Sequence, residues 1–210
     1  MIQETAELRL VPVTCREERA GIFQRMREEG RAQIVQYSLP EPDLAVWLEG
    51  TAPGRAWFCI LSMDISSSGA SLPSGKEGEF FATGVYSSGT RPEQKAKPDE
   101  ASRQAVPAAA VWISDFCGKT AFAHFVVFRG FTHLSTTLCH LASQWAFDGG
   151  LACLLGLIPA GNRAALAAMR ASGWQEIFRI PQACYLHRLG RHVDGVLCHF
   201  TPKLLHEAMP

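Results

Sequence analysis

Apolar and polar positions change period along the chain. In residues 8–13 (LRLVPV), Leu8, Leu10 and Pro12 fall on one side of an extended segment and Val11 and Val13 on the other, the two-residue period of a strand. After Thr14 the apolar Ile22, Phe23 and Met26 recur at helical spacing, which predicts a helix over 16–29 closed by Gly30. A second short helix is expected over 43–49, with Asp43 as its N-cap. Residues 55–63 (RAWFCILSM) form a continuous apolar run of strand length, the pattern of a strand covered on both faces.

The pattern then breaks. Residues 64–78 are rich in Ser and Gly and 90–107 in Pro, Lys, Glu and Gln, with a strand-like stretch at 79–87 (EFFATGVYS) between them. The segment 64–107 therefore reads as an insertion, mobile linkers around one strand or hairpin, within a single domain spanning 1–210. Regularity returns with a strand over 109–115, a turn at Cys117-Gly118-Lys119 and a strand over 120–128. A helix over 134–147 follows, with Leu134, Leu138, Leu141 and Trp145 on one face and Gly149-Gly150 as its stop. Next come a buried strand over 151–158, a helix over 162–171 ended by Gly173, and two final strands over 174–180 and 193–200. Strands separated by crossover helices imply parallel neighbours, and the last pair fits an antiparallel arrangement. The expected fold class is α/β, a mixed sheet with helices on both faces.

Composition narrows the function classes. The chain has 210 residues, 47% of them hydrophobic, and a formal net charge of zero. A neutral chain without a basic, aromatic-interleaved cluster has no general attraction for nucleic acid or anionic membrane. The first ten residues carry Glu4 and Glu7 and no apolar core of a signal peptide, and no window is long and apolar enough to span a bilayer, so a cytoplasmic protein is expected. Seven scattered cysteines without a C-x-x-C pair argue against a disulfide framework and against structural zinc, and no metal is expected. Phosphate-loop, zinc-protease, nucleophile-elbow and early dinucleotide-binding signatures are absent.

Two segments carry a family resemblance. Residues 120–138 (TAFAHFVVFRGFTHLSTTL) lead a strand into a loop and a helix start, with Arg129 followed by Gly130. Residues 154–175 (LLGLIPAGNRAALAAMRASGWQ) place Asn162, Ala165, Gly173 and Trp174 in fixed register. Together they resemble the GNAT superfamily of acyl-CoA-dependent N-acetyltransferases. In that family the loop reads Gln or Arg, two residues, Gly, one residue, Gly or Ala. The later helix reads Asn, Ala, Tyr, Gly and Phe at these spacings. The resemblance implies a GNAT-like fold with a long insertion before the motif strand, with acetyl-CoA as acyl donor and a primary amine as acceptor. It implies that Phe125, Val126 and Val127 bind the pantetheine arm through their backbone. It also implies that Arg129, Gly130, Thr132, His133 and Ser135, with the helix N-terminus, cradle the pyrophosphate, and that Asn162 contacts CoA or caps its own helix. Thr132 and Leu134 stand at the loop's two small positions, and Met169 stands where many members carry a Tyr general acid.

The candidate catalytic groups are His124, a base near neutral pH or a core imidazole, and Asp115, a proton acceptor through water or a turn former. The cysteines show no catalytic Cys/His spacing. Two readings follow: an N-acetyltransferase, or a catalytically inactive GNAT-like binding or assembly module of the kind found among phage-encoded proteins. Either is compatible with a homo-oligomer.

Overall fold

The computed structural model describes residues 8–65 and 104–209. Its elements, in chain order, begin with β1 (Leu8–Pro12), α1 (Arg16–Glu28), α2 (Ala32–Val35), α3 (Leu44–Gly50), β2 (Trp57–Ile65), β3 (Gln104–Cys117) and β4 (Thr120–Val127). They continue with α4 (Ser135–Asp148), β5 (Cys153–Pro159), α5 (Arg163–Ala171), β6 (Gln175–Leu186), β7 (Arg191–Phe200) and α6 (Pro202–Ala208). The strands form one mixed sheet in the order β1-β2-β3-β4-β5-β7-β6. β4 and β5 run parallel, and the other neighbours are antiparallel.

Local chemistry accounts for the helix boundaries. Asp43 caps α3 by accepting hydrogen bonds from the amides of Ala45 and Val46 at 2.7 and 3.0 Å. Asn162 caps α5 in the same way, its Oδ1 accepting from the amide of Ala165 at 3.2 Å. Gly30 and Gly173, just past the ends of α1 and α5, adopt φ of 69° and 82°, the left-handed conformation in which Gly has no steric penalty.

Each sheet face has its own helices. Trp47 of α3 lies between Phe23 of α1 and the sheet residues Phe58 and Trp112, with ring centroids 4.8–5.7 Å apart. The buried Arg19 fixes α1 to α3 by donating to Leu48 O, Thr51 Oγ1 and Cys15 O, and Trp47 Nε1 donates back to Arg19 O. On the other face Val111 and Ile113 of β3 and Ala123 and Phe125 of β4 meet Cys139 and Ala142 of α4. Residues in between, Trp112 and His124, point to the α1/α3 face, as strand alternation requires.

The structure differs from expectation in several places, and the strand expected over 174–180 runs on to Leu186. Asp64–Ile65 and Gln104–Pro107, assigned above to the insertion, are paired strand. Pro107 disguised this, yet it sits where the β2–β3 register shifts, so its missing N–H does not interrupt a regular ladder. α2 and α6 were too short to show a period, although Thr201 Oγ1 accepting from Leu204 N and Pro202 at the first helical position mark the start of α6. The strand expected over 79–87, and the mobility expected around it, lie outside the described residues. Among the described residues no helix is long and apolar enough to cross a membrane, and no cluster of three His, Cys, Asp or Glu is arranged to hold a metal ion.

Gly173 is a sharp test of this packing. A Cβ built there would lie 2.6 Å from the Cβ of Ala208, on a backbone at φ 82°. Gly173→Ala is expected to destabilise the protein by roughly 2–4 kcal/mol, through overpacking against α6 and left-handed strain together. Urea unfolding measures this, and a loss below about 0.5 kcal/mol would contradict the α5–α6 packing.

Candidate active site

The centre of the sheet opens between β4 and β5. The two strands pair at Thr120–Cys153, Ala121–Leu154 and Phe122–Leu155, and then they part. Beyond Phe122, β4 continues through Ala123–Val127 with its other edge held by β3, while β5 is held on its far edge by β7. Among the described residues, the β4 edge facing the gap therefore carries N–H and C=O groups without a strand partner, in a place where such groups usually find one. Phe125, Val126 and Val127, expected to hold the pantetheine arm, lie on this stretch.

His124 and Asp115, the two candidate catalytic residues, are brought together through a residue the sequence did not single out. Ser114 Oγ donates to Asp115 Oδ2 at 2.7 Å and lies 3.0 Å from His124 Nε2. The hydroxyl has one proton, and Asp115 takes it, so the serine oxygen accepts from Nε2–H. This arrangement leaves Nδ1 as the ring's lone-pair acceptor. A bulge makes the arrangement possible. Ser114 pairs with Phe122 and Cys117 with Thr120, so Asp115 and Phe116 together oppose one residue of β4. Asp115 occupies the bulge at φ 53°, a left-handed conformation that Asp tolerates better than most residues. Strand alternation from Trp112 would have placed Ser114 on the face of His124, and that is the signal by which sequence could have found it.

The His124 ring is partly buried and stacks on Trp112 with centroids 4.9 Å apart and planes 4° from parallel. Burial pushes its pKa down to about 4, and the Asp115 charge opposes that shift. The imidazole is thus neutral at pH 7. It lines a cleft of about 600 Å³ between the β3 bulge and the α2–α3 region, together with Ser114, Asp115, Trp112, Gln36 and Arg55.

At the end of β4 the loop is less open than its motif suggests. Phe131 is buried, while Arg129, Gly130, Thr132 and His133 are exposed and Ser135 is half-buried. Residues Thr132–Leu134 wind into a 3-10 turn leading to α4. The amides of Phe131, Leu134 and Ser135 bond to Phe128 O, Phe131 O and Thr132 O within the loop. The amide of Arg129 bonds to Glu29 Oε2 at 2.7 Å, a carboxylate 100 residues away that no local pattern announces. Glu29 is held in turn by Arg25, whose guanidinium stands over the Phe128 ring and donates to Pro107 O.

Across the gap Asn162 uses its amide oxygen as a helix cap. Met169 is half-buried and reaches toward Gly156 of β5, its Cε 3.7 Å from where a Cβ would stand on that glycine. It lines, with Phe125 and Trp174, a small apolar space of about 20 Å³ beneath α4.

The His124 shift makes stability depend on pH. In the unfolded chain the imidazole titrates near 6.5, and in the folded chain near 4. Between these values the unfolded state binds the proton and the folded state does not. Stability is therefore full above pH 6.5 and falls as pH drops toward 4, by roughly 2–3 kcal/mol from this group. His124→Gln is expected to remove that part of the slope. Urea unfolding of both proteins at pH 7 and 4.5 measures it, and parallel losses in the two would contradict the shift.

No family model and no curated protein matches the sequence. Solved structures do match in fold. Spermidine N-acetyltransferase from Vibrio cholerae, in complex with CoA and spermine, superposes with a TM-score of 0.62 at 10% identity, over 95% of this chain and 98% of that one. A protein from Acinetobacter baylyi ADP1, classed provisionally as an acetyltransferase, superposes with a TM-score of 0.59 at 14% identity, over 94% of each chain. The protein thus has the fold of the GNAT acyl-CoA N-acyltransferases, the seven-stranded mixed sheet included.

Proposed function

We propose that the protein is an N-acetyltransferase that moves acetyl from acetyl-CoA to a primary amine. The observation that carries this reading is the parting of β4 from β5 beside the His124–Ser114–Asp115 chain. The free edge of β4 over Ala123–Val127 offers a row of backbone donors and acceptors that suits an amide-bearing pantetheine arm, with Phe125, Val126 and Val127 lining it. At the loop, Arg129 and His133 are the exposed side chains placed to meet phosphate, with Thr132 and Ser135 hydroxyls and the Gly130 turn beside them. Several loop amides already have partners, so the side chains carry more of this contact than they would in a glycine-rich loop. Asn162 orders the helix on the opposite side of the gap. Acetyl-CoA would supply an activated thioester.

The chain's own residues then handle protons. The neutral His124 relays a proton from the acceptor ammonium to solvent through Nδ1, since a ring with a pKa of about 4 does not keep it, while its Nε2–H stays on Ser114 and Asp115 steadies the transient cation. The freed amine forms the new N–C bond and the C–S bond breaks. CoA leaves as the thiol, taking its proton from water, since Met169 at the usual Tyr position has none to give. The second ammonium proton returns to solvent through His124.

Thermal denaturation with and without acetyl-CoA tests the reading first. A ligand bound to the folded state alone stabilises it by about 2.7 kcal/mol at 100 times its Kd, a rise of several degrees in Tm. Thiol release with a panel of amines tests the chemistry. His124→Gln is expected to keep the thermal shift and lower kcat by about 10²–10⁴-fold. Met169→Tyr, which places a phenol toward Gly156, is expected to raise turnover by at least about tenfold. No thermal shift and no thiol release from any of these proteins would sink the proposal.

Glu29 supplies an independent check of where the phosphates bind. It is an anion on a loop amide, so Glu29→Gln is expected to tighten CoA binding, by about 3–10-fold in calorimetry. Arg129→Ala should weaken it, and Thr132→Gly should preserve or improve it by admitting phosphate to the backbone. Loss of measurable affinity in Thr132→Gly would show that the loop is not the phosphate site.

A further inference from the structure

The cleft on the α1/α3 face holds more chemistry than proton transfer needs. Its lining joins the Asp115 carboxylate to the guanidinium of Arg55, on the connection between α3 and β2. Val46 and Phe116, two large apolar side chains that the fold leaves 50% and 39% exposed, line it as well. Exposed apolar side chains gathered on a concave wall that also carries one carboxylate and one guanidinium suit a small-molecule site, and about 600 Å³ is a usual size.

We infer that this cleft takes an amino-carboxylate as acceptor: a primary amine that also bears a carboxylate on a short apolar body, an amino acid of the phenylalanine or leucine kind. The inference rests on the acyl-transfer reading of the site and narrows its acceptor. Among the described residues Asp115 is the one carboxylate in the lining, so the cleft is matched to a single ammonium, next to the His124 imidazole that would deprotonate it. Arg55 repels a second ammonium and attracts a carboxylate. Its existing bond to Glu49, at 2.8 Å, joins side chains 65% and 66% exposed. A pair that open to water holds weakly, so a substrate carboxylate can take the remaining guanidinium donors or displace Glu49. The apolar walls of Val46, Phe116 and Trp112 then cover the carbon body. The Vibrio cholerae enzyme of the same fold binds spermine, a polycation that this lining does not suit. Transfer would join the acetyl carbon to the amino nitrogen, break the thioester, release CoA as thiol and leave an N-acetyl amino acid.

The test compares three acceptors in the thiol-release assay with acetyl-CoA: phenylalanine, phenethylamine, which lacks only the carboxylate, and spermidine. Phenylalanine is expected to exceed phenethylamine in kcat/KM by about 10–100-fold, the usual worth of one charge-assisted carboxylate contact. Spermidine is expected to stay at the no-acceptor background. In Arg55→Ala the preference for phenylalanine should collapse to near unity, through KM, and Arg55→Lys should restore part of it. Calorimetric titration of the CoA-saturated protein with phenylalanine gives a readout that needs no turnover. Preference for spermidine, a preference unchanged in Arg55→Ala, or no phenylalanine binding would each overturn the inference. A CoA-induced thermal shift in the same protein would leave the acyl-transfer reading standing, so the two failures are distinguishable.

Discussion

The constraint on which the site depends is the unfinished pairing of two parallel strands. β4 and β5 share a ladder as far as Phe122 and Leu155, and each is held on its outer edge by an antiparallel neighbour. Neither strand can swing to close the gap without tearing a longer ladder on its other side. The gap is therefore built into the pairing of the sheet. It puts backbone donors and acceptors in the middle of the protein, where they gain from a ligand that brings amides of its own.

Everything around the gap serves to hold side chains at its rim. The Trp47 cluster and the Arg19 hydrogen bonds press α1 and α3 onto one face. Trp112, part of that cluster, sets the plane of the His124 ring. The β3 bulge then turns Asp115 back toward Ser114 and so toward the imidazole, at the cost of a left-handed Asp. A regular strand would have put Ser114 and Asp115 on opposite faces.

Two contacts at the margins bear on how the fold is used. Glu29 bonds the amide that opens the loop, and Met169 reaches toward Gly156 across from the β4 edge. On the acyl-transfer proposal, both place protein atoms close to ground that CoA would occupy. A carboxylate on one amide and a flexible thioether are displaceable contacts, unlike a bulky ring locked in a core.

Much of the fold was legible along the chain. The periods of α1, α4 and α5, the Asp43 and Asn162 caps and the glycines at 30 and 173 are local events, decided by residues within a turn of one another. The parallel β4–β5 pair followed from the length of the crossover between them. The candidate residues His124 and Asp115 were legible as types, but not as partners. Their meeting needs Ser114 and a bulge, and the bulge is a register event between two strands that leaves no period of its own. The Glu29–Arg129 contact spans 100 residues, and Arg55 reaches the same cleft as Asp115 from 60 positions earlier. Sequence by itself determined the elements, their ends and the crossover, because those obey short-range geometry. Which charges face one another across the cleft was decided only when the sheet brought distant segments together, because nothing local ties their positions.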